Sequence, residues 1–406
     1  MADFIRLGLI FIGIIYAIRR KIFVGYILFV AAIGLAALYL MPLGAVISAI
    51  KDTVISGEFL YLYGTIILIT FLGRLLKEIN YFSRLVEAAR RLIGGPRTAA
   101  AVLPGLVGLM PMPGGALLSA PLVAEVLPKN KYSPEFLTIV NYWSRHVVEF
   151  CWPVYPGLIL SAALTSQPVG RIALLQMPLT IIMIPTGIFF FIRKIEEKGD
   201  GSGTIIMPFK KILSAIWPIL LAIAVSAATG LKLFYAVGIA ILVLLIKERP
   251  SLGKVKPVAA EAFSPKLFLL VYSIILFQNI LELTGAVSSL PSLTVKYGLP
   301  PALIIFALTF TVGLLTGMVN AFVGLAYPLL AGYLYKPDVN LSNIFLTFLS
   351  GYLGMILSPT HFCLVLTNEY FKSNLGKVYR MIIPPILILF FGGVLLYLAG
   401  FPWKLF

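Results

Sequence analysis

Residues 108–123 read "GLMPMPGGALLSAPLV". The flanks are as apolar as a membrane helix, yet the centre holds Pro111, Pro113, Gly114 and Gly115, with Pro121 just beyond. Proline removes a backbone donor and clashes with the preceding turn, and paired glycines add an entropic cost, so no straight helix runs through this cluster. The 406-residue chain around it is 60% hydrophobic and 12% charged, with a mean hydropathy of +1.00. A soluble protein is about a quarter charged. Apolar runs of membrane-crossing length recur from end to end. The expected class is therefore an all-α polytopic membrane protein that interrupts its own apolar segments.

The net charge of +16 reads as the basic cytoplasmic face of a membrane protein, not as a nucleic-acid surface. No nucleic-acid partner is expected. Asp3 to Ile18 lacks a basic start and a small-residue cleavage site, so it reads as a retained first span. Cys151 and Cys363 have no Cys or His at metal-ligand spacing and read as small apolar residues. No metal and no cofactor are expected.

Expected spans are 3–18, 22–41 and 58–76, then a basic amphipathic piece at 80–92, then 97–127, 134–166 and 169–193. A polar linker, 194–209, separates these from 210–228, 231–247, 266–286, 299–334, 340–371 and 375–400. With 97–127 and 299–334 entering and leaving on one side, ten crossings remain. Of the 32 Lys and Arg, 24 then fall on one face and seven on the other, with Arg145 left inside. The positive-inside rule puts the 24 in the cytoplasm and both termini outside.

The order of elements in 1–193 recurs in 210–406. At an offset of 206, Pro153 meets Pro359, Gly170 meets Gly376, Arg171 meets Lys377, Pro178 meets Pro384 and Gly187 meets Gly393. Five crossings per half is an odd number, so the halves are expected as inverted repeats. Each holds a re-entrant helical hairpin (97–127, 299–334) and a broken helix (134–166, 340–371). Inverted repeats with discontinuous helices mark secondary transporters. Backbone leaves the helix at membrane depth only where it is buried or lines a watery cavity. The "PMPGG" tip (Pro113, Gly114, Gly115) and the "TGMVN" tip (Thr316, Asn320) then meet near the midplane, where freed amides can hold an ion or anionic group.

Charges within the bilayer cost about 2.5–3.5 kcal/mol each on insertion scales, so each needs a reason. In "NYWSRHVVEF" (141–150), Asn141, Arg145 and Glu149 share one helix face and His146 sits one residue round. Either Arg145 and Glu149 neutralise each other and lock helices together, or Arg145 binds an anion beside a protonatable Glu149 or His146. The corresponding stretch, "SPTHFCLVLTNEYF" (358–371), supplies Ser358, Thr360, His361, Asn368 and Glu369. A His or carboxylate at a break can carry a proton through a cycle. Glu282 and Glu125 are weaker candidates, and Glu125 is expected at the cytoplasmic surface.

These segments resemble the ion transporter superfamily of divalent-anion/sodium symporters, citrate transporters, gluconate permeases and sodium/proton antiporters. "SPTHFCLVLTNEYF" is similar to a late broken-helix segment of gluconate-type permeases. The whole chain, with "PMPGGALLSAPLV" and "NYWSRHVVEFCWPVYPGL", is similar to an uncharacterised prokaryotic integral-membrane family of that superfamily. The resemblance implies an elevator-type fold and mechanism, a homodimer in membrane lipid, and a cell-membrane (prokaryotic inner-membrane) location. It implies a symporter of a small organic anion, a carboxylate or sugar acid, coupled to H+ or Na+; a sodium/proton antiporter is the alternative. The Ser-Asn-Thr trio of sodium-coupled relatives is missing from the first tip and incomplete at the second, which favours protons. No HExxH, paired deep Asp or Gly-x-Ser-x-Gly motif marks an enzyme.

Overall fold

The computed structural model describes residues 2–90, 95–110, 115–128, 130–196, 209–286, 291, 294 and 296–403. Every regular element among them is helical, with no strand. Six stretches are long and apolar enough to cross a membrane: Gly57–Glu78, Val169–Lys194, Ile212–Thr229, Leu252–Leu283, Leu341–Phe371 and Leu375–Leu398. Large apolar side chains such as Ile184, Ile188, Leu242, Ile246 and Leu395 stand exposed. Water would penalise such a surface, whereas lipid accepts it. The chain is a multi-pass membrane protein.

Helix positions follow the expected spans, with two additions. Leu43–Ile55 and Leu252–Ala262 are helical where only connections were expected. Both are too short or too charged to read as apolar crossings; the second carries Lys254, Lys256 and Glu261. The amphipathic piece is a helix, Tyr81–Arg90. Most of the linker, 197–208, lies outside the described residues.

The interrupted segments fold as pairs of short helices. Gly95–Gly108 and Gly115–Val126, 14 and 12 residues long, pack against each other. So do Pro301–Thr316 and Val319–Leu329, of 16 and 11 residues. None reaches the about 20 residues a crossing needs. The second turn is made by Gly317 at φ +63°. A Cβ there would also lie 2.7 Å from the His361 nitrogen, so glycine is required on both counts. The two broken helices are Pro134–His146 with Pro156–Leu164, and Leu341–Leu357 with Phe362–Phe371. Pro156 opens one second arm, where its missing N–H costs nothing, and Pro359 stands in the other break.

Packing recurs between the halves. Gly95–Gly108 lies on Pro134–His146, and Pro301–Thr316 lies on Leu341–Leu357. At the first contact Gly108 abuts the Arg145 carbonyl; at the second Gly313 abuts the Gly351 carbonyl, 205 and 206 residues further on. The second arms cross over. Gly115–Val126 packs on Phe362–Phe371, and Val319–Leu329 packs on Pro156–Leu164. The second helix of each hairpin pair thus packs on the second arm of a broken helix far from it in sequence.

Candidate functional site

A helix that stops inside apolar surroundings leaves carbonyls without partners, and no water is at hand to satisfy them. Here side chains from neighbouring elements supply the donors. Tyr352 donates to the His146 carbonyl at 2.8 Å and Thr180 to that of Val147 at 2.8 Å. Tyr142 and Tyr379 donate to Ile356 and Leu357, each at 3.0 Å. At the first hairpin Tyr155 donates to the Gly108 carbonyl, and Trp152 Nε1 to that of Leu109 at 2.9 Å. At the second hairpin His361 Nδ1 meets the Gly317 carbonyl at 2.6 Å. The broken ends are thus pinned by rigid aromatic groups.

Within this frame lies a buried charged cluster. Arg145, 3% exposed, packs its guanidinium on Gly115, where a Cβ would fall 2.5 Å from Nη2. Its Nη1 is 3.2 Å from Cys363 Sγ and 3.7 Å from Glu149 Oε1. Its Nε has no partner among the described residues. Glu149 is held from the other side by Tyr352 at 3.3 Å, with His146 Nε2 at 3.9 Å. One turn before Arg145, Asn141 donates to Thr367 Oγ1 at 3.1 Å, while its Oδ1 has no partner among the described residues. Helical spacing aligns Asn141 with Arg145, and Glu149 follows in the turn just past the helix end at His146.

The two histidines of the chain meet here. His146 Nε2 and His361 Nε2 are 3.0 Å apart. His146 Nδ1 faces the Tyr142 carbonyl at 2.6 Å, as His361 Nδ1 faces that of Gly317. Both Nδ1 atoms therefore carry hydrogen, because a carbonyl only accepts. His146, His361 and Cys363 are the described residues that could hold a metal, with donor atoms within 4.8 Å of one another. The two ring nitrogens already sit at hydrogen-bond distance, and Arg145 engages the thiol. The set is arranged as a hydrogen-bonded cluster.

The structure brings together Gly115, Asn141, Arg145, His146, Glu149 and His361. Ser358 and Thr360 join their edge: their hydroxyls are 2.9 Å apart, and Thr360 reaches the Leu315 carbonyl at 3.4 Å. Asn320 lies against Gly157 of the first broken helix. Thr316 turns its hydroxyl back to its own helix, onto the Val312 carbonyl at 2.7 Å. Pro113 and Gly114 lie outside the described residues. Asn368 is drawn away by Ser373 at 2.6 Å, and Glu369 is exposed. Glu282 pairs with Lys336 at 2.8 Å, and Glu125 is exposed.

One expectation is corrected. Cys363 is not an apolar filler, because Arg145 donates to it. Sequence reasoning also missed Tyr142, Tyr155 and Tyr352. The 206-residue offset carried the signal for two of them: it takes His146 to Tyr352 and His361 back to Tyr155.

A cavity of about 760 Å³ lies between Gly57–Glu78, the first broken helix and residues 226–233. Glu58, Tyr61, Gln167 and Lys232 line it, and Pro153 of the first break forms part of its wall. Arg145 does not reach it.

The profile of a protein family described as "Protein of unknown function (DUF401)" matches residues 5–399. No curated protein matches the sequence. The fold is similar to that of the YdaH transporter of Alcanivorax borkumensis, whose crystal structure is described as revealing an unusual topology. The TM-score is 0.57 at 15% identity, covering 90% of each chain.

Proposed function

The chain belongs to this family of unknown function, and from that premise we propose that it is a secondary active transporter, a symporter of a small organic anion driven by H+ or Na+. The observation that carries the proposal is Arg145: a buried cation at the junction of a hairpin and two broken helices, with one donor not taken by any described residue. A carboxylate or sugar acid is the substrate class that suits it. The likeness in fold to a protein called a transporter supports the same reading. In this proposal the ten crossings form two inverted repeats. The hairpins and broken helices move together as an elevator against the remaining spans, and the protein works as a homodimer in the prokaryotic inner membrane with both termini outside. Membrane lipid surrounds the exposed apolar faces. The proton or sodium ion binds beside Glu149 and the histidines; the protein acts without a cofactor and is not an enzyme.

Uptake of radiolabelled gluconate, citrate and succinate into proteoliposomes tests the proposal. A charge-assisted hydrogen bond contributes about 1.5–3 kcal/mol, so Arg145→Gln should lower uptake by about 10- to 150-fold. Unchanged uptake by Arg145→Gln refutes the assigned role of Arg145. A sodium/proton antiporter is the second reading, favoured by the 3.7 Å approach of Glu149 to Arg145, which already part-neutralises the cation. Sodium-driven proton flux in vesicles without organic solute would select it.

A further inference from the structure

Three of the polar contacts made by the two histidines ask for three hydrogens. Each Nδ1 needs one for its carbonyl, at 2.6 Å in both cases, and the Nε2 atoms need one between them at 3.0 Å. Two neutral imidazoles carry only two N–H groups. Without a third hydrogen, either two lone pairs face each other across 3.0 Å or one ring turns a bare nitrogen to a carbonyl. From this count we infer that His146 and His361 form a proton-binding site, holding one extra proton between their Nε2 atoms and so joining the first broken helix to the tip of the second hairpin.

Burial works against a charged ring pair, and the surroundings supply the offset. The Glu149 carboxylate is 3.9 Å from His146 Nε2. Every N–H of the protonated pair has an acceptor. The other groups facing the pair are Arg145 and Tyr142 from the same helix, Tyr352 from Leu341–Leu357, Tyr155 at the break and Cys363 from Phe362–Phe371. Among these, Glu149 is the one carboxylate. Arg145 and the shared proton against Glu149 leave a surplus of one positive charge. That surplus is neutralised by a monoanion, and it vanishes when the proton leaves. Proton and anion then favour each other's binding through charge alone, the coupling a symporter needs. This last step rests on the transport reading; the proton count does not.

The chain has two histidines, so nitrogen-15 histidine labelling of the full-length protein in lipid, purified without a histidine tag, reports on this pair alone. The expected solid-state NMR spectrum at neutral pH shows both Nδ1 protonated and the two Nε2 signals coupled, between the bare and protonated positions. His361→Gln should collapse it to a single neutral ring. His146→Gln, which spares the Gly317 contact, serves where the first variant does not fold. Two protons on the four nitrogens, or one equivalent of zinc or copper by elemental analysis, overturns the inference. Such a result leaves anion transport open to sodium coupling, and failure of anion uptake leaves the proton count untouched.

Discussion

Positions 146 and 361 are histidine; their counterparts at the 206-residue offset, 352 and 155, are tyrosine. At the two hairpin ends, Tyr155 and His361 do the same structural work. Tyr155 holds the Gly108 carbonyl of the first hairpin, and His361 holds the Gly317 carbonyl of the second. The contrast is in what else the ring can do. A phenol that donates to a carbonyl stays uncharged near neutral pH, whereas an imidazole has a second nitrogen that can take a proton. The same asymmetry runs through the charges. Arg145 and Glu149 correspond to Gly351 and Met355. Where Arg145 lies on Gly115, Phe322 lies against Gly351. What both halves share builds the architecture, and Arg145 and Glu149, which one half alone carries, are where the proposed transport chemistry is placed.

Removing the Arg145 charge should have the largest effect. It strands Glu149, 8% exposed, and breaking one member of a buried ion pair costs about 3–5 kcal/mol. Arg145→Gln should therefore melt well below the wild type in detergent, and Arg145→Gln with Glu149→Gln should recover most of the loss. A single variant as stable as the wild type would mean that the charges are not coupled, and the contrast with Gly351 and Met355 would lose its meaning.

Gly108→Ala and Gly313→Ala probe the shared side of the comparison. In each case the new methyl meets a backbone carbonyl that cannot turn aside, that of Arg145 or of Gly351. Overpacking of this kind costs about 1–3 kcal/mol. Thermal unfolding should fall by similar amounts in both variants. If one half tolerates the methyl and the other does not, the offset does not describe a common packing plan.

Smaller still is Tyr155→Phe, which removes one hydrogen bond from the Gly108 carbonyl, a net loss of about 1 kcal/mol. The loss should be the same at pH 5 and pH 8, because the deleted phenol does not titrate there. The corresponding loss in His361→Gln should vary with pH. A pH-dependent Tyr155→Phe would erase the distinction between the two tips.

The coarse plan was legible because proline, glycine and charge are scarce and costly in an apolar chain. "TGMVN" marked the turn between Pro301–Thr316 and Val319–Leu329, and the offset of 206 pairs Arg145 with Gly351, whose carbonyls Gly108 and Gly313 abut. Arg145, His146, Glu149 and His361 stood out because charge at depth is expensive. Less visible was whatever depends on a neighbour far along the chain. Cys363 looks apolar until Arg145 is beside it, and Tyr142, Tyr155 and Tyr352 look like ordinary membrane aromatics until a helix end needs a donor. The helices Leu43–Ile55 and Leu252–Ala262 escaped because their patterns are set by packing, not by a bilayer-length run.

Glu369 offers the smallest effect and a sharp check on where the acids matter. Its place two turns beyond His361 made it a candidate for coupling, yet its side chain is exposed while the cluster is buried. An exposed carboxylate is screened and solvated, so changing it alters stability by no more than about 0.5 kcal/mol. Glu369→Gln should leave melting and proton-driven uptake within about twofold of the wild type, the scale of that energy. Should Glu369→Gln instead abolish proton-driven uptake, an essential acid would lie in the second half, and the assignment of charge chemistry to the first half would fail.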